Sequence, residues 1–137
     1  MRARIVAIDD DPRLLRRVQQ SLDERGYAAV TSTDWNRACE LIAQLQPQLV
    51  IIDSPTTREW QGWKALDALK RDAVGQAIPV IMYSNAARAL APDARVLREF
   101  QVLVLPQPVD LDDLPRRVSD LLGMHLQSTG SGTQVAR

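Results

Sequence analysis

Ile5-Val6-Ala7-Ile8-Asp9-Asp10-Asp11-Pro12 sets four apolar residues directly before three carboxylates and a proline. A short, wholly apolar run suits a strand covered on both faces, because a strand with one wet face alternates apolar and polar residues. Asp11 followed by Pro12 fits a helix N-cap with proline at the first helical position. Leu14, Leu15, Val18 and Leu22 continue as an apolar stripe, which Gly26 ends. The segment thus predicts a buried strand that passes through an acidic corner into an amphipathic helix.

The same alternation recurs along the chain. Ala28-Ala29-Val30-Thr31 is a weaker strand, as expected at a sheet edge, and Asp34 can cap a second helix with Ala38, Leu41, Ile42 and Leu45 on one side before Pro47. Leu49-Val50-Ile51-Ile52 is the most hydrophobic strand and ends at Asp53. Gly62 to Arg71 supplies a third helix with Leu66 and Leu69 inward. Pro79-Val80-Ile81-Met82-Tyr83 is the fourth strand and stops at Ser84-Asn85. Pro92 divides Ala86 to Phe100, so the regular part of a fourth helix is expected after it. Val102-Leu103-Val104-Leu105 forms a fifth strand. Asp110 with Asp113 resembles a capping arrangement for a last helix carrying Leu111, Leu114, Val118, Leu121 and Leu122. Five strand-helix repeats of this length predict an α/β domain, a parallel sheet with helices on both faces. After Met124 the residues turn polar and small through Ser128-Thr129-Gly130-Ser131-Gly132, which reads as a flexible tail over 125–137.

Composition narrows the function. Seventeen Lys and Arg balance 17 Asp and Glu, so no net positive charge is available to hold a nucleic acid backbone. Only Lys64 and Lys70 are lysines, so a function that needs an ammonium has few candidates. Cys39 and His125 are each the only residue of their type, which excludes an internal disulfide and gives no metal-ligand spacing. No stretch approaches the roughly 18 apolar residues of a membrane span. Met1-Arg2-Ala3-Arg4-Ile5 runs into a strand without the features of an export signal. A cytoplasmic domain without membrane insertion is expected.

In open parallel sheets, ligands bind beyond the carboxyl ends of the strands where strand order reverses. The side chains expected there are Asp9 and Asp10 after the first strand, Asp53 after the third, Ser84 after the fourth and Gln107 near the fifth. Carboxylates gathered in a partly dry pocket repel one another and must take up protons or share a cation. A hard divalent ion relieves that repulsion, and Mg2+ suits a few carboxylates, a backbone carbonyl and several waters. Asp53 is also placed to act as a nucleophile toward a phosphoryl group. Ser84 would then donate its hydroxyl to a phosphoryl oxygen and carry the event into the following loop.

These residues resemble the receiver domain of bacterial response regulators over about Ile5 to Leu122. The resemblance rests on Ile5 to Pro12, on Leu49-Val50-Ile51-Ile52-Asp53, on Pro79 to Ser84 and on Leu105-Pro106-Gln107-Pro108. It implies a flavodoxin-like five-stranded parallel sheet of order 2-1-3-4-5, with the receiver domain over residues 1–124. It also implies a Mg2+-dependent transfer of a phosphoryl group from a histidine kinase or histidine phosphotransfer protein. By the same resemblance Asp53 is the phosphoacceptor, Asp9 and Asp10 orient Mg2+, the backbone carbonyl of Pro55 is a neutral ligand, and Ser84 is the switch hydroxyl. The fourth helix, fifth strand and fifth helix would form the face for a downstream protein or a homodimer, with Arg95, Arg98, Arg116, Arg117, Asp112, Asp113 and Asp120 in reach.

The chain departs from the family pattern at several positions. Gln107 stands where the family has a lysine before a cis-proline, and a neutral amide donates a hydrogen bond without supplying charge. Val104 takes the place of the switch aromatic. Thr57 stands where a proline is expected, Gly62 is displaced by one residue, and Trp60 and Trp63 bracket that glycine. These departures leave two readings: a working phosphoacceptor, or a pseudo-receiver that serves as a protein-binding module with impaired phosphotransfer.

Overall fold

The computed structural model of the chain describes residues 2–53, 66–83 and 101–129. Five strands, β1 (Arg4–Ile8), β2 (Ala28–Ser32), β3 (Leu49–Asp53), β4 (Val80–Tyr83) and β5 (Val102–Leu105), form one sheet. Every neighbouring pair is parallel and the order is β2-β1-β3-β4-β5. This is the flavodoxin-like α/β arrangement that the sequence predicts, with the reversal of strand order at β1 and β3.

Successive side chains of a strand point to opposite faces, so each buried strand feeds two cores. On one face Ile5, Ala7, Leu49, Ile51, Ile81 and Tyr83 meet Leu15, Val18 and Leu22 of α1 (Pro12–Glu24). Leu114, Val118 and Leu121 of the C-terminal helix (Leu114–Thr129) complete that core. On the other face Val6, Ile8, Val50, Ile52, Val80 and Met82 meet Ala38 and Ile42 of α2 (Trp35–Leu45). Leu66 and Leu69 of the helical segment 66–71 pack on this second face. The continuous apolar runs in the sequence follow directly from this two-sided burial.

Helix boundaries fall where the local chemistry puts them. The Asp11 carboxylate accepts from the amides of Arg13 at 3.0 Å and Leu14 at 3.5 Å, and Pro12 opens α1. Gly26, with φ of 90°, turns the chain after α1 into β2. Asp34 accepts from the amide of Asn36 at 2.9 Å to start α2, which ends on Gln46 in the left-handed region, one residue before Pro47. Before the C-terminal helix, Asp110 Oδ1 accepts from the amides of Asp112 at 3.0 Å and Asp113 at 3.2 Å. Asp113 does not reach back toward Asp110, because its carboxylate pairs with Arg116 and, at 2.7 Å, with Arg117. The helix continues to Thr129 and so includes the first residues of the expected tail. Gly123 lies inside it, and no proline interrupts residues 116–129.

The expected fourth helix, residues 62–65 of the third, and residues 130–137 of the tail lie outside the described residues. Among the described residues, no helix is long and apolar enough to cross a membrane.

Candidate functional site

Parallel register brings the acidic corner together. Ile8 pairs with Ile52, so the residues that follow, Asp9 and Asp53, leave adjacent strands at the carboxyl edge. The amide of Asp9 donates to the carbonyl of Ser32 at 3.3 Å, which ties this corner to the end of β2 as well. Asp9 is buried, with 5% of its surface exposed; Asp53 is half-buried and Asp10 exposed. Gln107, in the loop after β5, reaches across the sheet edge, and its Nε2 donates to Asp53 Oδ1 at 2.6 Å. The Gln107-Pro108 peptide is cis.

The electrostatics match this crowding. Burial pushes the Asp9 carboxyl up to about 8, and the charge of Asp53 and hydrogen bonding with Asp10 and Asp53 push in the same direction. Asp53 is also raised, first by burial and further by the charges of Asp10 and Asp11, while hydrogen bonds from Gln107 and Asp9 oppose the rise. Burial and mutual repulsion therefore favour one proton held between Asp9 and Asp53 over two free charges.

The two carboxyls open into a cleft lined by Asp9, Asp10, Asp11, Leu14, Arg17, Asp53, Gln107, Pro108, Val109 and Leu111. The sequence places Asp9, Asp10, Asp53 and Gln107 at one site, and the structure brings these four together. Ser84 and Pro55 lie outside the described residues. Arg17 was not indicated by the sequence. Its only signal is a position three residues after Leu14, which puts both on one face of α1 beside the acidic corner.

Other candidates fall elsewhere. Lys70 donates through Nζ to the carbonyls of Gly75 at 3.5 Å, Gln76 at 3.3 Å and Ile78 at 2.5 Å, and burial holds its ammonium down to about 8. That places it at the amino edge of β4, away from the cleft; Lys64 lies outside the described residues. Cys39 is exposed on α2, and partial burial and Asp72 raise its thiol pKa, which keeps it protonated. Val104 packs toward the core that α2 covers.

No three side chains of the acidic, histidine or cysteine types form a preformed metal site among the described residues. The donor set nonetheless fits a hard cation. Asp9, Asp10 and Asp53 offer only oxygen, Asp9 is too buried to remain charged without a counterion, and Mg2+ needs only one or two carboxylates when it keeps its waters.

A doubly wound parallel sheet with a carboxylate cleft at its strand-order reversal defines a flavodoxin-like domain with an acidic cleft at its switch point. Residues 5–119 match the model of the response regulator receiver domain, and the chain belongs to that family. Such receivers work in two-component phosphorelay signalling, with histidine kinases or phosphotransfer proteins upstream. The chain is 30% identical to the DNA-binding dual master transcriptional regulator RpaA of Synechocystis over 87% of its own length and 48% of that protein. It is 26% identical to the response regulator MprA of Mycolicibacterium vanbaalenii over 99% of its length and 57% of that protein. The chain thus spans about half the length of these curated relatives. A CheY-like receiver domain protein from Methanospirillum hungatei superposes with a TM-score of 0.77 at 18% identity, covering 93% of this chain and 99% of that one. NtrX from Brucella abortus gives 0.76 at 23% identity, covering 98% of this chain and 29% of that one.

Proposed function

We propose that the chain accepts a phosphoryl group on Asp53 from a histidine kinase or histidine phosphotransfer protein, in a Mg2+-dependent reaction, and passes the change to a protein-interaction surface. A carboxylate oxygen of Asp53 forms the new bond to phosphorus, and the bond from phosphorus to the donor's imidazole nitrogen breaks. The nitrogen leaves with the electron pair and is protonated. Asp9 and Asp10, with Asp53 and the Pro55 carbonyl, would hold Mg2+, which draws charge from the transferring oxygens when bound. Ser84 would donate its hydroxyl to a phosphoryl oxygen and relay the change to the loop after β4.

The observation that carries this reading is the position of Asp53: half-buried, beside a buried acid partner, with Oδ1 held by Gln107 and the cleft open in front of it. The output face would combine the predicted fourth helix with β5 and the C-terminal helix, and would take a downstream protein or a second copy of the chain. The balanced charge argues that the chain itself makes no direct nucleic acid contact. A cytoplasmic location fits such a partner set.

One observation favours a second reading. Gln107 supplies a neutral amide to Asp53, and the cleft contains no lysine among the described residues, which suits a pseudo-receiver acting as a protein-binding module. Incubation with acetyl phosphate and Mg2+ followed by intact mass measurement separates the two. Phosphotransfer gives a labile adduct of about 80 Da that disappears without Mg2+ or in Asp53→Ala. Absence of any adduct, including with a competent phosphodonor protein, establishes the pseudo-receiver.

A further inference from the structure

An anion arriving at Asp53 enters a cleft that already holds Asp9, Asp10 and Asp11. A bound divalent ion displaces the proton held between Asp9 and Asp53 and then offsets only part of the charge of Asp9, Asp10, Asp11 and Asp53, while Gln107 contributes a dipole and no charge. Among the described residues lining the cleft, the single basic side chain is that of Arg17. It stands on α1 one turn after Leu14, lines the cleft together with Pro108 and Val109, and its surface is exposed. Asp113 engages Arg116 and Arg117, and Asp67 engages Arg71, whereas no ion pair among the described residues holds Arg17. Its guanidinium, carried on a flexible stem at the lining of the cleft, presents a planar fork that matches two phosphoryl oxygens.

We infer that Arg17 is an anion-binding residue of this site, supplying from α1 positive charge that Gln107 cannot supply from the loop after β5. The inference rests on Asp53 being the phosphoacceptor. Arg17 makes no bond to phosphorus; it steadies the oxygens while the Asp53 oxygen-phosphorus bond forms and the donor's bond to phosphorus breaks. Because the guanidinium is exposed, its contribution is screened by salt.

The test compares wild type, Arg17→Gln, Arg17→Lys and Asp53→Ala. Acetyl phosphate labelling with Mg2+ is followed by intact mass, and beryllofluoride binding is followed by fluorine NMR. Arg17→Gln is expected to label about tenfold more slowly, in line with the loss of one charge-assisted hydrogen bond. It should bind beryllofluoride correspondingly more weakly and lose most of the salt dependence of the wild-type rate. Its Mg2+ affinity should hold or tighten, since a nearby cation has gone. Arg17→Lys should recover part of the rate. Labelling that depends on Asp53 but is equally fast and equally salt-sensitive in Arg17→Gln overturns the role of Arg17 and leaves the phosphoacceptor intact. Failure of wild type both to label and to bind beryllofluoride overturns the phosphoacceptor reading and the role of Arg17 with it.

Discussion

Replacing Asp9 with asparagine removes a buried ionisable group whose charged form the fold disfavours. In the folded chain Asp9 keeps its proton up to about pH 8, against an ordinary value of 3.8. Between these pH values the folded chain binds a proton that the unfolded chain has released, so the stabilising contribution is fully present below about pH 4 and is lost as pH rises toward 8. At about 1.4 kcal/mol per pH unit, a fully dry carboxylate would cost about 6 kcal/mol above pH 8. The cleft is open to water on the side of Asp10, and Asp53 shares the proton, so about 2 kcal/mol is the expected cost. Asparagine keeps the shape and does not titrate. Asp9→Asn should therefore match wild type near pH 4 and exceed it by about 2 kcal/mol at pH 8.5, or roughly 8 °C in Tm for a chain of this size. Mg2+ should stabilise wild type at pH 8.5 and leave the variant nearly unchanged, since a ligand stabilises in proportion to its binding of the folded state. Calorimetric melting of both proteins across this pH range, with and without Mg2+, is the assay. A wild type whose Tm stays level from pH 4 to 8.5, or a variant less stable than wild type at pH 8.5, would mean that Asp9 carries no such buried proton.

Removing the Gln107 amide with Gln107→Ala lets the Asp53 pKa rise further, because the lost hydrogen bond is the first influence holding it down. The acid limb of the labelling-rate profile should then move to higher pH, while Gln107→Lys should increase labelling; a limb that stays in place denies the contact. Leu114→Ala, at a fully buried position on the C-terminal helix, should cost about 3 kcal/mol in urea unfolding. Gly75→Ala would press a methyl group against the Leu69 carbonyl and side chain, and should cost about 2 kcal/mol by the same measurement.

What the sequence disclosed depends on how local each cause is. The strands were legible because burial on both faces leaves continuous apolar runs such as Leu49 to Ile52, and the starts of α1 and α2 because Asp11 and Asp34 bond to amides two or three residues ahead. Asp9, Asp10 and Asp53 were legible as a set because parallel strands align their ends. The bond from Gln107 to Asp53 spans 54 residues and depends on loop geometry that no pattern encodes. Arg17 was hidden for a related reason: an exposed arginine on a helix looks the same whether it faces solvent or the mouth of a cleft. Lys70 is a third case, its ammonium fixed by backbone carbonyls that become neighbours only when residues 72–78 turn back on it. The boundary at 124 followed composition, whereas the helix continues to Thr129 because Gln127 and Leu126 favour helix and no proline stops it.

If an Asp53 oxygen attacks phosphorus, the new acyl phosphate can be trapped chemically at that residue. Borohydride reduction of the protein after incubation with acetyl phosphate and Mg2+, followed by peptide mass mapping, should find homoserine at position 53 and intact aspartate at 9, 10 and 11. Reduction at one of those other aspartates, or at none while the protein carries the added phosphoryl mass, would exclude Asp53 as the nucleophile.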